Sequence, residues 1–242
     1  MTIKSRQSEP RGVFVTGTDT GVGKTWVSLG LMASLQAQGF SVVGMKPVSA
    51  GCERTPEGLR NEDALLLQRQ SSVMQPYERV NPAAFEPPIA PHIAAEEAGA
   101  RINFARIRRA YDKLAVTADL CVVEGAGGWL VPLSARRSFA DLVEHLGLPV
   151  MLVVAIRLGC LNHALLTVES IERRNLSLIG WVANLPAPET ARAEQNIQAL
   201  EKRITAPRIA TVKYAPTTSV AHFAESLGTS KARRLLRRLA AA

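Results

Sequence analysis

Residues 12–35 read GVFVTGTDTGVGKTWVSLGLMASL, and this stretch decides the fold. Its first part, Val13 to Val15, is a short apolar, β-branched run of the kind that forms a buried strand. Its last part carries Trp26, Leu29, Leu31, Met32 and Leu35 at helical spacing and stops at Gly39, as a helix C-terminus does. Between them lies Gly17-Thr18-Asp19-Thr20-Gly21-Val22-Gly23-Lys24-Thr25. Strand, glycine-rich turn and helix in immediate succession make an anion cradle: backbone N–H groups converge, the helix dipole adds positive potential, and a lysine reaches in. Five residues separate Gly17 from Gly23, one more than the general phosphate-loop pattern allows. An ordinary strand-to-helix turn that happens to contain Gly-Lys-Thr is the competing reading.

Working outward, further apolar runs fall at 42–45, 120–123, 150–155, 179–183 and, less clearly, 208–212. Helical patterns at 61–70, 104–116, 138–146, 162–174 and 191–203 alternate with them. Alternation of this kind predicts an α/β fold, a mostly parallel sheet with helices on both faces, of the P-loop NTPase type. The proline-rich stretch 74–91 is expected to be a loop over one face, because Pro76, Pro82, Pro87, Pro88 and Pro91 forbid a long helix or a central strand. The whole chain, 1–242, reads as one domain, with residues 1–10 flexible and a basic segment at 231–242.

Composition sets bounds on function. The chain has 242 residues, is 47% hydrophobic and carries a formal charge of +8. Lys231, Arg233, Arg234, Arg237 and Arg238 supply five of those charges, leaving a modest excess that suits anionic small molecules. The three cysteines are scattered and show no C-x-x-C pair, which points to a reduced cytoplasmic protein. No apolar stretch approaches membrane-spanning length. Nucleic acid and membrane are therefore not expected as partners, and the four histidines show no metal spacing.

If the loop binds a triphosphate with Mg²⁺, carboxylates are needed nearby. Glu124 ends the run Leu120-Cys121-Val122-Val123, where a parallel sheet presents ligand-binding groups. It can hold Mg²⁺ directly or through water, or merely cap the next loop. Gly125-Ala126-Gly127-Gly128 follows, either as a second close approach to an anion or as a flexible turn. Lys46 ends the second predicted strand, on the same sheet edge as Lys24. It can neutralise charge on a transferring phosphoryl group, or be a solvated strand-end lysine. Packing is the first explanation for Trp26, Trp129 and Trp181.

Taken together, GTDTGVGKT (17–25), GMKPVSAG (44–51), TPEGLRNEDA (55–64), VEGAGGW (123–129), LGCLNHALLT (158–167) and GWVAN (180–184) resemble dethiobiotin synthetase. The resemblance runs from about residue 11 to 200, and the five-residue gap in the loop is similar to that family's own. It implies ATP- and Mg²⁺-dependent ring closure of 7,8-diaminononanoate with CO₂, by way of a carbamate and a carbamic-phosphoric anhydride. It implies catalytic roles for Lys46, Lys24 and Thr20, and Mg²⁺ ligation by Thr25, Asp63 and Glu124. ATP would be held by Gly21, Val22, Gly23, Lys24, Thr25, Trp26, Asp63, Glu124, Gly125, Ala126 and Gly127, with Asn184 and Leu185 on the base side. Substrate would meet Lys46, Ser49 and Ala50, and Gly159 and Asn162 at the interface of a homodimer. Asp63 becomes a candidate only through the resemblance.

The sequence departs from the family pattern at several positions. Gly21 stands where some relatives carry Glu, Ala50 where a substrate-contacting serine is found, and Gln195 where a tyrosine reaches the partner's substrate. Ser49 or backbone groups are expected to compensate for Ala50. The match at 213–215, where the purine loop would fall, is poor. Two other readings are an amidotransfer synthetase of cobyrinic acid metabolism, which would usually append a glutaminase domain, and a partitioning or site-determining ATPase that binds DNA or membrane, for which the basic tail is the main support. The latter typically carries an extra lysine where this loop has Asp19.

Overall fold

In the computed structural model, residues 11–228 and Arg234 are described; residues 1–10, expected to be flexible, and the rest of the basic segment lie outside them. The chain runs β1 (Gly12–Gly17), α1 (Lys24–Gln36), β2 (Val42–Met45), β3 (Val48–Ser49), β4 (Glu53–Thr55) and β5 (Gly58–Arg60). It continues through α2 (Glu62–Gln70), α3 (Tyr77–Val80), β6 (Ala83–Ala84), α4 (Pro91–Glu97), α5 (Phe104–Ala115), β7 (Leu120–Glu124) and α6 (Phe139–Leu146). It closes with β8 (Val150–Ala155), α7 (Cys160–Arg173), β9 (Leu178–Asn184), α8 (Ala193–Glu201), β10 (Arg208–Val212) and α9 (Val220–Leu227).

The six expected strands form one parallel sheet in the order β10-β9-β8-β1-β7-β2. Because side chains alternate along a strand, each strand feeds two cores. Val13, Val15, Val42, Leu120 and Val122 face one way, onto α1 and α9. Phe14, Val43, Met45, Cys121 and Val123 face the other, onto α5 and α6. At the far end Leu152, Val154 and Trp181 pack against α7 and α8. Every residue of β1, β7 and β8 is buried, which explains their continuous apolar runs.

Local chemistry sets the helix starts. Asn61 caps α2 by accepting from the Ala64 N–H at 3.2 Å, and Asn103 caps α5 through Arg106. Ser138 and Asp141 form a capping box at α6. Helix α9 was not anticipated: its cap is Ser219, and it buries Phe223 and Leu227 on α1. Gly30 makes that packing possible, since a Cβ there would collide with the Phe223 backbone.

The stretch 74–91 departs from its reading as a loop over one face. Tyr77, Val80 and Asn81 are buried, β6 pairs with β3 in parallel, and the prolines stand where a helix tolerates them, Pro76 as the N-cap of α3 and Pro91 in the first turn of α4. It is an inner wall beside the end of β2. Residues 53–60 add a small antiparallel hairpin that turns at Pro56 and Glu57.

Candidate active site

After β7 the chain crosses β1 to continue as β8, so the carboxyl end of β1 lies at the point where strand order reverses. Crevices form at such points. Here one of about 850 Å³ opens, lined by thirteen of the anticipated positions: Thr20, Gly21, Gly23, Lys24, Thr25, Trp26, Lys46, Ser49, Ala50, Asp63, Glu124, Ala126 and Gly127.

The loop itself is shaped by glycine. Gly23 has φ +93°, and a side chain there would also run into Asn184. Asn184, at the end of β9, donates its Nδ2 hydrogen to the Val22 carbonyl at 3.0 Å and so ties the loop to the sheet. Gly21 also has positive φ, and a Cβ built there would meet open space. Across the loop, Arg157 pairs with Asp19 at 2.8 Å.

Lys24 is 6% exposed and its ammonium donates to the Asp19 carbonyl at 2.8 Å. Burial, aided by repulsion from Lys46, pulls its pKa from 10.5 down to about 8. Negative groups nearby offset this only in part.

Opposite the loop, four side chains from four elements meet. The Lys46 ammonium donates to Glu124 Oε1 at 2.5 Å and to Asp63 Oδ2 at 2.8 Å. Thr25 Oγ1 donates to the same Glu124 oxygen at 2.9 Å. Glu124 is fully buried, and its Oε2 is without a hydrogen-bond partner among the described residues. Burial works against the charge on Lys46, but Glu124 and Asp63 outweigh it and hold its pKa above the ordinary lysine value. Burial likewise disfavours the Asp63 carboxylate, and the Lys46 charge overrides that, leaving its pKa below the ordinary value. The Glu124, Asp63 and Thr25 donors are all oxygen, the chemistry that suits Mg²⁺ rather than a softer metal. Among the described residues no cluster of three His, Cys, Asp or Glu side chains forms a metal cage on its own, so such an ion would need oxygens from a nucleotide or water.

Val22, Gly125, Asn184, Leu185, Gly159 and Asn162 do not line this crevice. Val22 is buried in the core beneath the loop, Gly125 supplies a carbonyl 3.3 Å from Lys46 Nζ, and Leu185 follows Asn184 on the far side. Ser49 is 1% exposed and donates its hydroxyl to Asn81 at 2.8 Å. Gly159 and Asn162 are exposed at the start of α7, away from the crevice, and Gln195 is exposed on α8. Trp26 stacks on Phe223 at 6.2 Å, Trp129 donates to Ser170, and Trp181 is fully buried. The sequence reading missed the apolar wall of Leu66, Ile89, Ala90 and Val131, for which the proline cluster at 87–91 was the available signal. It also missed Asn81, for which there was none.

Against known proteins, a family model described as an AAA domain matches residues 11–221. The ATP-dependent dethiobiotin synthetase of Pseudomonas paraeruginosa is 53% identical over 195 residues, covering 80% of this chain and 86% of that one. The enzyme of the same name from Aromatoleum aromaticum is 48% identical over 220 residues, 91% and 98% of the two chains. Among solved structures, the MinC:MinD cell division complex of Aquifex aeolicus superposes with a TM-score of 0.58 at 14% identity, covering 96% of each chain. Cobyrinic acid a,c-diamide synthase from Mycobacterium smegmatis, solved with an ATP analogue and magnesium, gives 0.56 at 17% identity over 89% and 92%. At such identities these two neighbours establish the fold alone, and the partitioning and cobyrinic readings gain no support from sequence identity. The close relatives carry the activity with them, and the chain belongs to the dethiobiotin synthetase family of ATP-dependent ligases of biotin biosynthesis.

Proposed function

We propose that this crevice phosphorylates a carbamate and then closes a cyclic urea, converting 7,8-diaminononanoate and CO₂ to dethiobiotin with ATP. The observation that carries the reading is the convergence of Lys24, Lys46, Asp63 and Glu124 at the mouth of a phosphate loop. One amine of the substrate adds to CO₂ and loses a proton, giving a carbamate. A carbamate oxygen attacks the γ-phosphorus and ADP leaves. The second amine then attacks the carbonyl carbon of the mixed anhydride, phosphate departs, and a proton is released as the ring closes. Because the carbamate is already an oxygen nucleophile, the protein's task is alignment and charge neutralisation rather than strong-base catalysis.

Lys24 is assigned to the β- and γ-phosphate oxygens, with Thr20 and the backbone of 21–25 and 125–127 along the phosphates. Lys46 is assigned to the carbamate and transferring phosphoryl oxygens. Its present bonds to two carboxylates hold the ammonium in place until substrate oxygens arrive. Thr25, Asp63 and Glu124 fit Mg²⁺, and the orphaned Glu124 Oε2 is the observation that favours an ion there. When bound, that ion would neutralise charge on the phosphates. Trp26, Asn184 and Leu185 are assigned to the nucleotide's base side, and Ser49 and Ala50 to the diamine end.

A homodimer is part of the reading. Leu158 and Leu166, exposed at 103% and 57%, bracket Gly159 and Asn162, which is support for a second chain covering this corner. The start of α7 would then reach the substrate carboxylate across the interface. The deciding experiment supplies purified protein with ATP, Mg²⁺, bicarbonate and the diamino acid. Phosphate release is expected only with the diamine, together with a cyclic urea. Diamine-independent release, or no cyclic urea, ends the reading. Sedimentation that gives only monomer removes the dimer from it.

A further inference from the structure

We propose that Asn81 is a positioning residue for the phosphoryl-transfer cluster, holding Lys46 and the helix that carries Asp63 in one frame; the inference rests on the function proposed above. Asn81 follows α3 and is 3% exposed. Its Nδ2 donates to the Lys46 carbonyl at 2.6 Å, while the neighbouring Val80 carbonyl accepts from the Lys46 N–H at 2.8 Å. The peptide of Lys46 is thus gripped on both sides just where β2 ends. A strand-end lysine is ordinarily free to swing, and this one is not.

The direction of each bond follows from donor and acceptor chemistry. A backbone carbonyl only accepts, so the amide nitrogen of Asn81 must face Lys46. Its Oδ1 then accepts from Ser49 Oγ at 2.8 Å and from the Tyr77 hydroxyl at 3.0 Å. Tyr77, having donated there, accepts from the Asn61 N–H at 2.7 Å. Asn61 is the N-cap of α2, and Asp63 stands in the first turn of that helix. One side chain therefore joins the lysine to the carboxylate that faces it. Asn61, Tyr77, Asn81 and Ser49 are all buried, so no solvent competes for these groups.

Ser49, Asn61, Tyr77 and Asn81 make no hydrogen bond to the phosphate loop, which is reached only through the carboxylates of the cluster, as where Thr25 donates to Glu124, and that separates the network from general support. Displacement of a transferring-phosphoryl contact by about 1 Å can slow chemistry about 10²-fold, while nucleotide binding by the loop is left alone. Asn81→Ala is expected to lower kcat by about 30-fold to 100-fold with KM for MgATP within about twofold of the parent. Tyr77→Phe cuts only the branch to Asn61. It is expected to lower kcat several-fold and to raise the Mg²⁺ concentration for half-maximal rate, because Asp63 alone is loosened.

Steady-state kinetics on the full chain, with thermal melts to confirm folding, test this. A folded Asn81→Ala variant with parental kcat overturns the proposal, as does an equal disturbance of MgATP KM and kcat. If Asn81→Ala fails to fold, Tyr77→Phe decides: parental kcat and Mg²⁺ dependence overturn it. A parent protein that forms no dethiobiotin defeats the proposed function instead. Positioning is then judged from crystal structures of the variants, where Lys46 Nζ and Asp63 in their parental places would overturn it.

Discussion

The two halves of the site are built on different principles. The loop after β1 is local: strand, glycine turn and helix are consecutive in sequence, and the groups proposed to bind phosphate are largely backbone N–H. The cluster of Lys46, Asp63, Glu124 and Thr25 is a meeting of side chains from the ends of two strands and the starts of two helices. A backbone cradle tolerates many side chains provided its glycines remain. A buried charge cluster tolerates little, because each ion depends on partners for its solvation. The charge cluster is therefore the fragile half of the site.

Lys24→Ala tests the local half at its buried lysine. Turnover is expected to fall by about 10³-fold or more, with the melting temperature undiminished, since the residue lost was a desolvated charge. Normal activity in a phosphate-release assay would refute its role. In the assembled half, Glu124→Ala is expected to lose about 3–5 kcal/mol of stability by leaving Lys46 buried beside one half-exposed carboxylate. Glu124→Gln should lose less in denaturant titration yet still lower turnover by about 10²-fold.

The titration of Lys24 sharpens the contrast. Its folded pKa of about 8 lies below the ordinary 10.5, so the unfolded chain holds the proton more firmly across that interval. Stability contributed here rises with pH between the two values, and below 8 the folded state carries a desolvated charge. Lys24→Met is expected to stabilise the protein on the order of 3 kcal/mol below pH 8, the gain fading towards pH 10.5. Melts at stepped pH in which the gain is flat or grows would contradict it. The smallest effect is expected at the rim. Arg157 and Asp19 are each about half exposed, and Arg157→Ala should change stability by less than about 1 kcal/mol and turnover by at most a few-fold. A large loss would mean that the loop is held by side chains after all.

Legibility followed the same division. All six strands of the main sheet were readable because they are buried on both faces and so appear as unbroken apolar runs. Lys24 and Thr25 were readable from the Gly-Lys-Thr run set between a strand and a helix, in spite of the irregular spacing. Glu124 and Lys46 were plausible as strand-end residues, but nothing in the sequence says that they touch. Asp63 was reached only by resemblance, since its pairing with Lys46 spans a hairpin and a helix cap. Helix α9 escaped because its burial depends on Gly30 of α1, nearly two hundred residues earlier. The stretch 74–91 was misjudged because proline-rich composition speaks to local conformation and not to burial.

By itself, then, the sequence determined what short-range physics controls: the strand–loop–helix proposed to cradle phosphate, the alternation that demands a parallel sheet, and the blocks that mark the family. Tertiary structure alone decided that Lys46 would be a clamped, doubly paired ammonium rather than a solvated one, and that Asn81 would lie beneath it. Those outcomes depend on which groups share a dry space after folding, and burial of that kind is a property of the packed chain that no local pattern encodes.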